Sequence, residues 1–154
     1  MKKILYYIVA VLIIPVLGFG TLGGKDIGSL IPAQVVLVQS AGENVRLITD
    51  TGDEGTGKTV GQAIASMQEA ASGEIYLDTA EHLLLEEGMD LWLEQLAKYL
   101  RPSCTLCRIS GDTKLSELTE YLQVHPPELT MAEYEAGKRV LPRLICKKGR
   151  TKLV

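Results

Sequence analysis

The first apolar block of the chain is its longest, and it shows no periodicity. Ile4 to Phe19 is apolar at nearly every position and follows the basic pair Lys2 and Lys3. This order is typical of a secretory signal peptide or of an N-terminal membrane anchor. A tilted span can be completed by the glycine-containing residues that come next. We therefore predict that residues 1–23 are a cleaved signal or a retained anchor, and that the rest of the chain lies outside the cytoplasm.

After this block the pattern becomes that of a tether and two β-strands. Residues 24–32, at the end of a Gly-rich stretch, are predicted to be the tether. Ala33–Gln39 and Val45–Thr49 are rich in β-branched residues and are separated by a short polar turn. This arrangement predicts a β-hairpin. The Gly-rich and acidic segment Thr51–Gly57 is predicted to be a loop.

From Thr59 onward apolar residues recur at helical spacing. A helix with one apolar face is predicted from positions i, i+3, i+4 and i+7, which are occupied by Val60, Ala63, Ile64 and Met67. Two further helices are predicted with Asp90 and Asp112 as their N-caps. A capping box, Thr130 to Glu133, predicts a short fourth helix.

Short β-branched or apolar runs between these helices predict the remaining strands. They are Ile75–Leu77, Leu83–Leu85, Thr105–Ile109 and Arg143–Cys146. Strands and helices thus alternate irregularly after an initial hairpin. The predicted fold class is α+β, or mixed α/β: one compact domain over residues 33–154, with a mixed β-sheet packed by about three to four helices.

The charge and the aromatic content of the chain limit the kinds of molecule that it is expected to bind. Sixteen Lys and Arg against nineteen Asp and Glu give a net charge of −3, and only 5% of residues are aromatic. This balance argues against nucleic acid as a partner, and the few aromatic residues argue against a base-stacking surface. Without Lys2 and Lys3 the domain is more acidic still, so it would not be attracted to anionic lipid. Attachment to a membrane would depend on the N-terminal block.

The most conspicuous motif is Gly52-Asp-Glu-Gly-Thr-Gly57-Lys58-Thr59, which fits the phosphate-binding pattern G-x-x-x-x-G-K-[ST]. In a nucleotide-binding loop, main-chain amides and the Lys58 side chain would hold phosphate, and Thr59 would hold magnesium. The acidic residues Asp53 and Glu54 oppose that chemistry, because they would repel phosphate oxygens. The other interpretation is that the glycines supply turns and Thr59 caps the following helix.

The three cysteines allow four interpretations. Cys104 and Cys107 have the C-x-x-C spacing of redox dithiols and of half a zinc site. A zinc site would need two more ligands, for which Cys146, His82 and His125 are the remaining candidates. The segment after Cys104 is predicted to be a strand, so its two thiols would face opposite ways. A disulfide between Cys146 and either Cys104 or Cys107 is the third alternative, and buried, inert thiols are the fourth.

No catalytic constellation emerges from the remaining residues. His82 and His125 are the two histidines, and His125 precedes two prolines in a predicted loop. No serine lies in a nucleophile-elbow context, and the Trp92 ring is predicted to be part of the core. The sequence therefore predicts a protein that is not an enzyme and has no cofactor, and it leaves any small-molecule ligand unknown.

The order of segments after the N-terminal block resembles a known family. Gly57-Lys-Thr-Val60 runs into a predicted helix and is similar to a G-K-T-[IV] helix start. The other similar segments are, in order, Lys25–Leu30, Ile75–Leu77, His82–Leu85, Met89–Leu100, Arg101–Pro102, Thr105–Ile109, Val140–Pro142 and Lys147–Gly149. In this order the chain resembles the N-terminal domain of the Ger(x)C proteins, the lipoprotein subunits of nutrient germinant receptors in spore-forming bacteria.

The resemblance implies a function in spore germination. It implies an extracytoplasmic protein-interaction module, tethered to the spore inner membrane, whose partners are integral-membrane protein subunits. Family members carry a lipid-modified Cys after the anchor, whereas Gly18 to Gly24 contains none, and they continue into further domains. The alternatives are a nucleotide-binding protein using Gly52 to Thr59, or an exported thiol oxidoreductase using Cys104 and Cys107. If the signal is cleaved, the protein is secreted.

Overall fold

The computed structural model describes residues 30–111, 114–147 and 150–154, which form one compact α+β domain. The described strands are β1 Leu30–Pro32, β2 Val35–Ala41, β3 Asn44–Thr49, β4 Glu54–Gly57, β5 Glu74–Tyr76, β6 His82–Leu85, β7 Thr105–Ser110, β8 Arg143–Lys147 and β9 Arg150–Leu153. The described helices are α1 Val60–Ala70, α2 Leu93–Leu96, α3 Leu115–Val124 and α4 Met131–Glu135. The predicted fold class is therefore confirmed for this part of the chain.

The predicted N-terminal membrane segment, Ile4 to Phe19, lies outside the described residues. Across the three described ranges, no helix has both the length and the apolar character needed to cross a membrane. Membrane attachment therefore stays a prediction from the sequence.

The main sheet is mixed, as predicted. Its seven strands lie in the order β4-β3-β2-β6-β7-β8-β9. The central strands β2, β6, β7 and β8 are parallel, and the hairpin partners β3 and β9 run antiparallel to their neighbours. Strands β2 and β6 are apolar at most positions, as expected for strands covered on both faces. A separate pair, β1 and β5, is parallel.

One face of the main sheet, the closed face, is covered by three helices. Buried side chains of α1, α2 and α4 meet alternate residues of the strands there. The contributors from the helices are Val60, Ala63, Met67, Leu93, Leu96 and Met131, and those from the strands include Val36, Val38, Leu83, Leu85 and Leu106. The predicted apolar stripe of α1 is thus confirmed as a core contact.

The other face, the open face, is covered by α3. Leu118 and Leu122 of this helix pack on the intervening strand residues. The strand residues on this side are Val35, Leu37, Leu84, Cys107, Ile109, Leu144 and Cys146. Successive side chains of a strand point to opposite faces, so Leu83 and Leu84 belong to different clusters.

Two segments predicted to lack regular structure are strands. Leu30–Pro32, the end of the predicted tether, is β1 and pairs with β5 in a register that places Ile31 beside Ile75. Glu54–Gly57, the end of the predicted loop, is β4 and pairs with β3. Both strands are three or four residues long, so neither shows a period in the sequence. Tertiary pairing decides their conformation.

The predicted cap of the second helix is also wrong. Asp90 lies inside a 3-10 turn, Met89–Trp92, and α2 begins only at Leu93. The Asp90 carboxylate pairs with Arg108 instead of capping a helix. Asp112, the predicted cap of the third helix, lies outside the described residues, and α3 starts after Lys114 with no side-chain cap. At the other end of the domain, β9 is a strand that the sequence did not predict.

Candidate functional site

The glycine-rich motif is divided between a strand and a helix start. Its second half, from Glu54, is β4, and Thr59 is the N-cap of α1. The Gln62 N–H donates to Thr59 Oγ1 at 3.2 Å, and Gln62 Oε1 accepts from the Lys58 N–H at 3.0 Å. This confirms the interpretation of Thr59 as a helix cap.

Two glycines of the motif let the strand approach the helix. A Cβ on Gly55 would lie 2.1 Å from the carbonyl oxygen of Ala63 and 2.5 Å from the main-chain nitrogen of Met67. A Cβ on Gly57 would lie 2.5 Å from the Ala63 nitrogen. These contacts are with backbone, so only glycine fits while α1 stays in place. Gly52, by contrast, supplies a turn at a φ of +90°.

Alternate amides of this segment are directed at the neighbouring strand β3. Thr49 N–H donates to Asp53 O at 2.9 Å, and hydrogen-bonded pairs alternate along an antiparallel ladder. The N–H groups of Gly55 and Gly57 therefore point toward β3. The acidic side chains are also engaged, since Asp53 accepts from the Thr51 hydroxyl at 2.7 Å and Glu54 pairs with Arg46. This geometry differs from a phosphate-binding loop, whose amides converge on the ligand.

The two cysteines of the C-x-x-C segment lie on opposite faces of the sheet. Cys104 packs in the cluster of the closed face, and Cys107 in that of the open face. Burial raises the pKa of each thiol to about 12. A redox dithiol requires two sulfurs on one side and a readily formed thiolate, so this arrangement does not suit that chemistry.

Cys146 shares the open face with Cys107 but is not its neighbour across the strands. A Cβ on Gly111 would lie 2.1 Å from the Cys146 carbonyl oxygen, so Cys146 lies beside Gly111, further along the sheet than Cys107. All three cysteines are free and buried. Among the described residues, no group of three or more His, Cys, Asp or Glu side chains is placed to hold a metal ion. The interpretation that fits best is that of buried, inert thiols.

The two histidines lie in different environments: His82 is buried and His125 is exposed. His82, the first residue of β6, is 6% exposed, and its Nδ1 lies 2.7 Å from Thr105 Oγ1. Burial lowers the pKa of His82, which favours the neutral ring. His125 is exposed at the end of α3, and its ring centroid lies 4.8 Å from that of Tyr121. The two rings thus have different partners, Thr105 for His82 and Tyr121 for His125.

Two ion pairs that join the segment after β6 to β7 and β8 were not predicted from the sequence. Arg108 pairs with Asp90, and Arg143, its neighbour across β7 and β8, lies 3.4 Å from Glu87. Asp90 Oδ1 and Arg108 Nε are buried without a hydrogen-bond partner among the described residues. The available signal was Arg108 itself, a charge between the apolar residues Cys107 and Ile109 of a predicted strand. These pairs hold the segment after β6 to Arg108 within β7 and to Arg143 at the start of β8.

A surface groove lies on the open face, beside the end of α3. It has a volume of about 590 Å³ and is bordered by the segment before β8 and by the last residues of β9. Val140 and Val154 are 88% and 68% exposed, and both line it together with Tyr121 and Leu153. Apolar side chains gathered in this way around a groove are typical of an interaction surface.

Comparisons with known proteins give no match. No family model, no curated protein and no solved structure is significantly similar to the chain. A function must therefore be inferred from its own residues and their geometry.

Proposed function

We propose that this chain is a non-enzymatic protein-interaction module, tethered to a membrane and facing outside the cytoplasm. The observation that carries the proposal is the groove on the open face, with Val140 and Val154 largely exposed at its border. A partner that covered these side chains would remove apolar surface from water, which favours association. No metal-binding group among the described residues competes with this interpretation.

The N-terminal block supplies the tether in this proposal. Ile4 to Phe19 is long enough, with the glycines that follow, to span a bilayer at a tilt. Lys2 and Lys3 would keep its start in the cytoplasm, so the domain would emerge on the opposite side. The domain begins at β1, whose pairing with β5 fastens the incoming chain to the fold at Ile31.

The Ger(x)C resemblance suggests which membrane and which partners. Three of the similar segments are well-defined elements: Gly57–Val60 is the capped start of α1, His82–Leu85 is the buried strand β6, and Thr105–Ile109 lies in β7. We infer a role in spore germination at the spore inner membrane, with integral-membrane protein subunits as partners. The missing lipid-modified Cys makes the apolar block itself the means of attachment.

Neither enzymatic alternative is favoured by a specific observation. The nucleotide-binding alternative needs free amides between Gly52 and Thr59, whereas those of Gly55 and Gly57 point into the sheet. The thiol oxidoreductase alternative needs a reactive Cys104 or Cys107, whereas burial raises the pKa of both thiols to about 12.

A complementation experiment with two matched variants tests the proposal. Spores that lack the gene should fail to germinate in nutrients, and the unaltered gene should restore germination. Val140→Glu should fail to restore it, because the new charge would have to be buried against the partner. Leu91→Glu is the matched control, since Leu91 is 68% exposed but lies outside the groove.

The fold of both variants is checked by their melting temperatures, which should match that of the unaltered protein because both positions are exposed. Full restoration by Val140→Glu would overturn the assignment of the groove. Normal germination of the deletion strain would overturn the role in germination.

A further inference from the structure

The outer edge of β4 is open in the described part of the molecule. β4 is the last strand of the seven-stranded sheet and pairs only with β3 among the described strands. Because the alternation that starts at Asp53 directs Gly55 and Gly57 toward β3, the N–H and C=O groups of Glu54 and Thr56 point outward. Such an edge is a template for the addition of another strand.

The exposed side chains of β4 and of Lys58, the residue that follows it, are self-complementary. Glu54, Thr56 and Lys58 are all exposed, whereas Gly55 on the opposite side is buried under α1. If a second β4 lies antiparallel with Thr56 facing Thr56, Glu54 of each copy faces Lys58 of the other. Opposite charges and paired threonines at facing positions both stabilise antiparallel strands.

The main-chain groups fit the same register. Thr56 of each copy would exchange two N–H···O=C bonds with its counterpart, and the outward N–H of Glu54 would donate to the carbonyl of the facing Lys58. The Lys58 N–H already donates to Gln62 Oε1 at 3.0 Å, so it does not need an acceptor on the second copy. The pairing therefore uses the outward N–H and C=O of Thr56 and the outward N–H of Glu54, and it leaves the Glu54 carbonyl to solvent.

The helix above this edge leaves room for a second copy. Gln62 of α1 lies over the end of β4, with its Cβ 2.6 Å from where a Cβ on Gly57 would be. Ser66 and Ala70 follow at i+4 and i+8, on the same side of the helix. All three are exposed and uncharged, and two are small.

We propose that two copies of this chain associate through their β4 strands, antiparallel and centred on Thr56, to form one continuous sheet. The partner at this edge is thus a second copy of the chain. The inference is independent of the proposed function, because it involves neither the groove nor the N-terminal block.

Disulfide trapping in the full-length chain, in isolated membranes, tests the register. Facing residues of a hydrogen-bonded antiparallel pair have Cα atoms about 5.5 Å apart, within the range that a disulfide spans. Thr56→Cys should therefore give a cross-linked dimer under mild oxidation, while the native cysteines stay buried. Ser116→Cys, at an exposed position on α3, should give none. Equal yields from the two variants would overturn the proposal.

Charge reversal provides a second, independent test in the Thr56→Cys background. Glu54→Lys alone places two lysines face to face, and Lys58→Glu alone places two glutamates face to face. Each should lower the cross-linked yield about 10-fold, since two exposed pairs change from attraction to repulsion.

Mixing the two charge variants restores opposite charges at both positions. Co-expression of differently tagged Glu54→Lys and Lys58→Glu chains should give a mixed dimer at a yield close to that of the unreversed chain. Loss of a contact within one copy, such as the pair between Arg46 and Glu54, would persist in the mixture. Failure of the mixture to recover, or no loss in either single variant, would contradict the pairing.

Discussion

The two faces of the main sheet differ in how completely they are covered. On the closed face, α1, α2 and α4 bury the strands, and α1 approaches β4 so closely that Gly55 and Gly57 have no room for a side chain. On the open face, α3 covers the centre and leaves a groove at its end. The contrast indicates that packing on the closed face stabilises the fold, whereas the open face keeps exposed apolar surface that a partner could cover.

The strongest test of this contrast is a methyl group at Gly55. Gly55→Ala places a Cβ against the backbone of α1, so we expect a loss of about 3 kcal/mol or more in the free energy of unfolding. Denaturant unfolding measures the effect. Gly61→Ala is the control, because its Cβ would meet only the movable Tyr99 hydroxyl at 3.1 Å, and it should be neutral or slightly stabilising.

A substitution at Gly55 tests the packing of β4 against α1 without changing a residue that the phosphate-binding pattern requires. Gly55 occupies a variable position of the phosphate-binding pattern, which fixes Gly52 and Gly57. Tolerance of Gly55→Ala would contradict the close approach of β4 and α1, whatever the segment binds.

On the open face, the corresponding test is the pH dependence of the free energy of unfolding, to which the buried His82 contributes. Burial lowers the pKa of His82, so below its ordinary value of about 6.5 the unfolded chain binds a proton that the native chain does not. The stability that His82 contributes is thus complete above that pH and is lost as the pH falls below it, by at most about 1.4 kcal/mol per pH unit. His82→Asn should flatten the pH dependence of the unfolding free energy between pH 7 and pH 5.

The carboxyl group of Glu133 does not interfere in that window. A hydrogen bond from Lys138 lowers its pKa, so its contribution is lost only at more acidic pH. An unchanged slope between pH 7 and pH 5 in His82→Asn would show that His82 is not the group responsible.

The smallest predicted effect compares the helix starts of the two faces. Thr59 and Thr130 cap α1 and α4 on the closed face, whereas α3 on the open face begins after Lys114, whose side chain makes no cap hydrogen bond. Thr59→Ala should lower the free energy of unfolding by about 1 kcal/mol, whereas Thr59→Ser should keep most of the stability that the cap contributes. Lys114→Ala should leave the melting temperature unchanged. If Thr59→Ala and Lys114→Ala changed the stability equally, the two helix starts would not differ in capping as described.

The sequence predicts the parts of the fold that are decided locally. The apolar period from Val60 to Met67 and the capping box at Thr130 and Glu133 identify α1 and α4, because propensity and capping agree there. Short strands such as β1 and β4 were missed, since only their partners make them strands. Asp90 was assigned to a helix cap because the sequence does not show that Arg108 lies close to it.

The candidate site was predictable only in part. The chemistry of Gly52 to Thr59 and of the cysteines could be judged from neighbouring charges and predicted elements. The groove brings together Tyr121, Val140 and Leu153 from three separate parts of the chain. No local pattern marks such residues as neighbours, so the surface emerges only from the fold.

Membrane tethering outside the cytoplasm is the central claim, and protease accessibility in intact cells tests it most directly. We predict that the full-length chain fractionates with membranes, resists washing with high salt, and is cleaved by protease added from outside. A variant that lacks residues 1–23 should remain inside the cell and be protected. A soluble mature form beginning near Thr21, or protection of the full-length chain from external protease, would contradict the account.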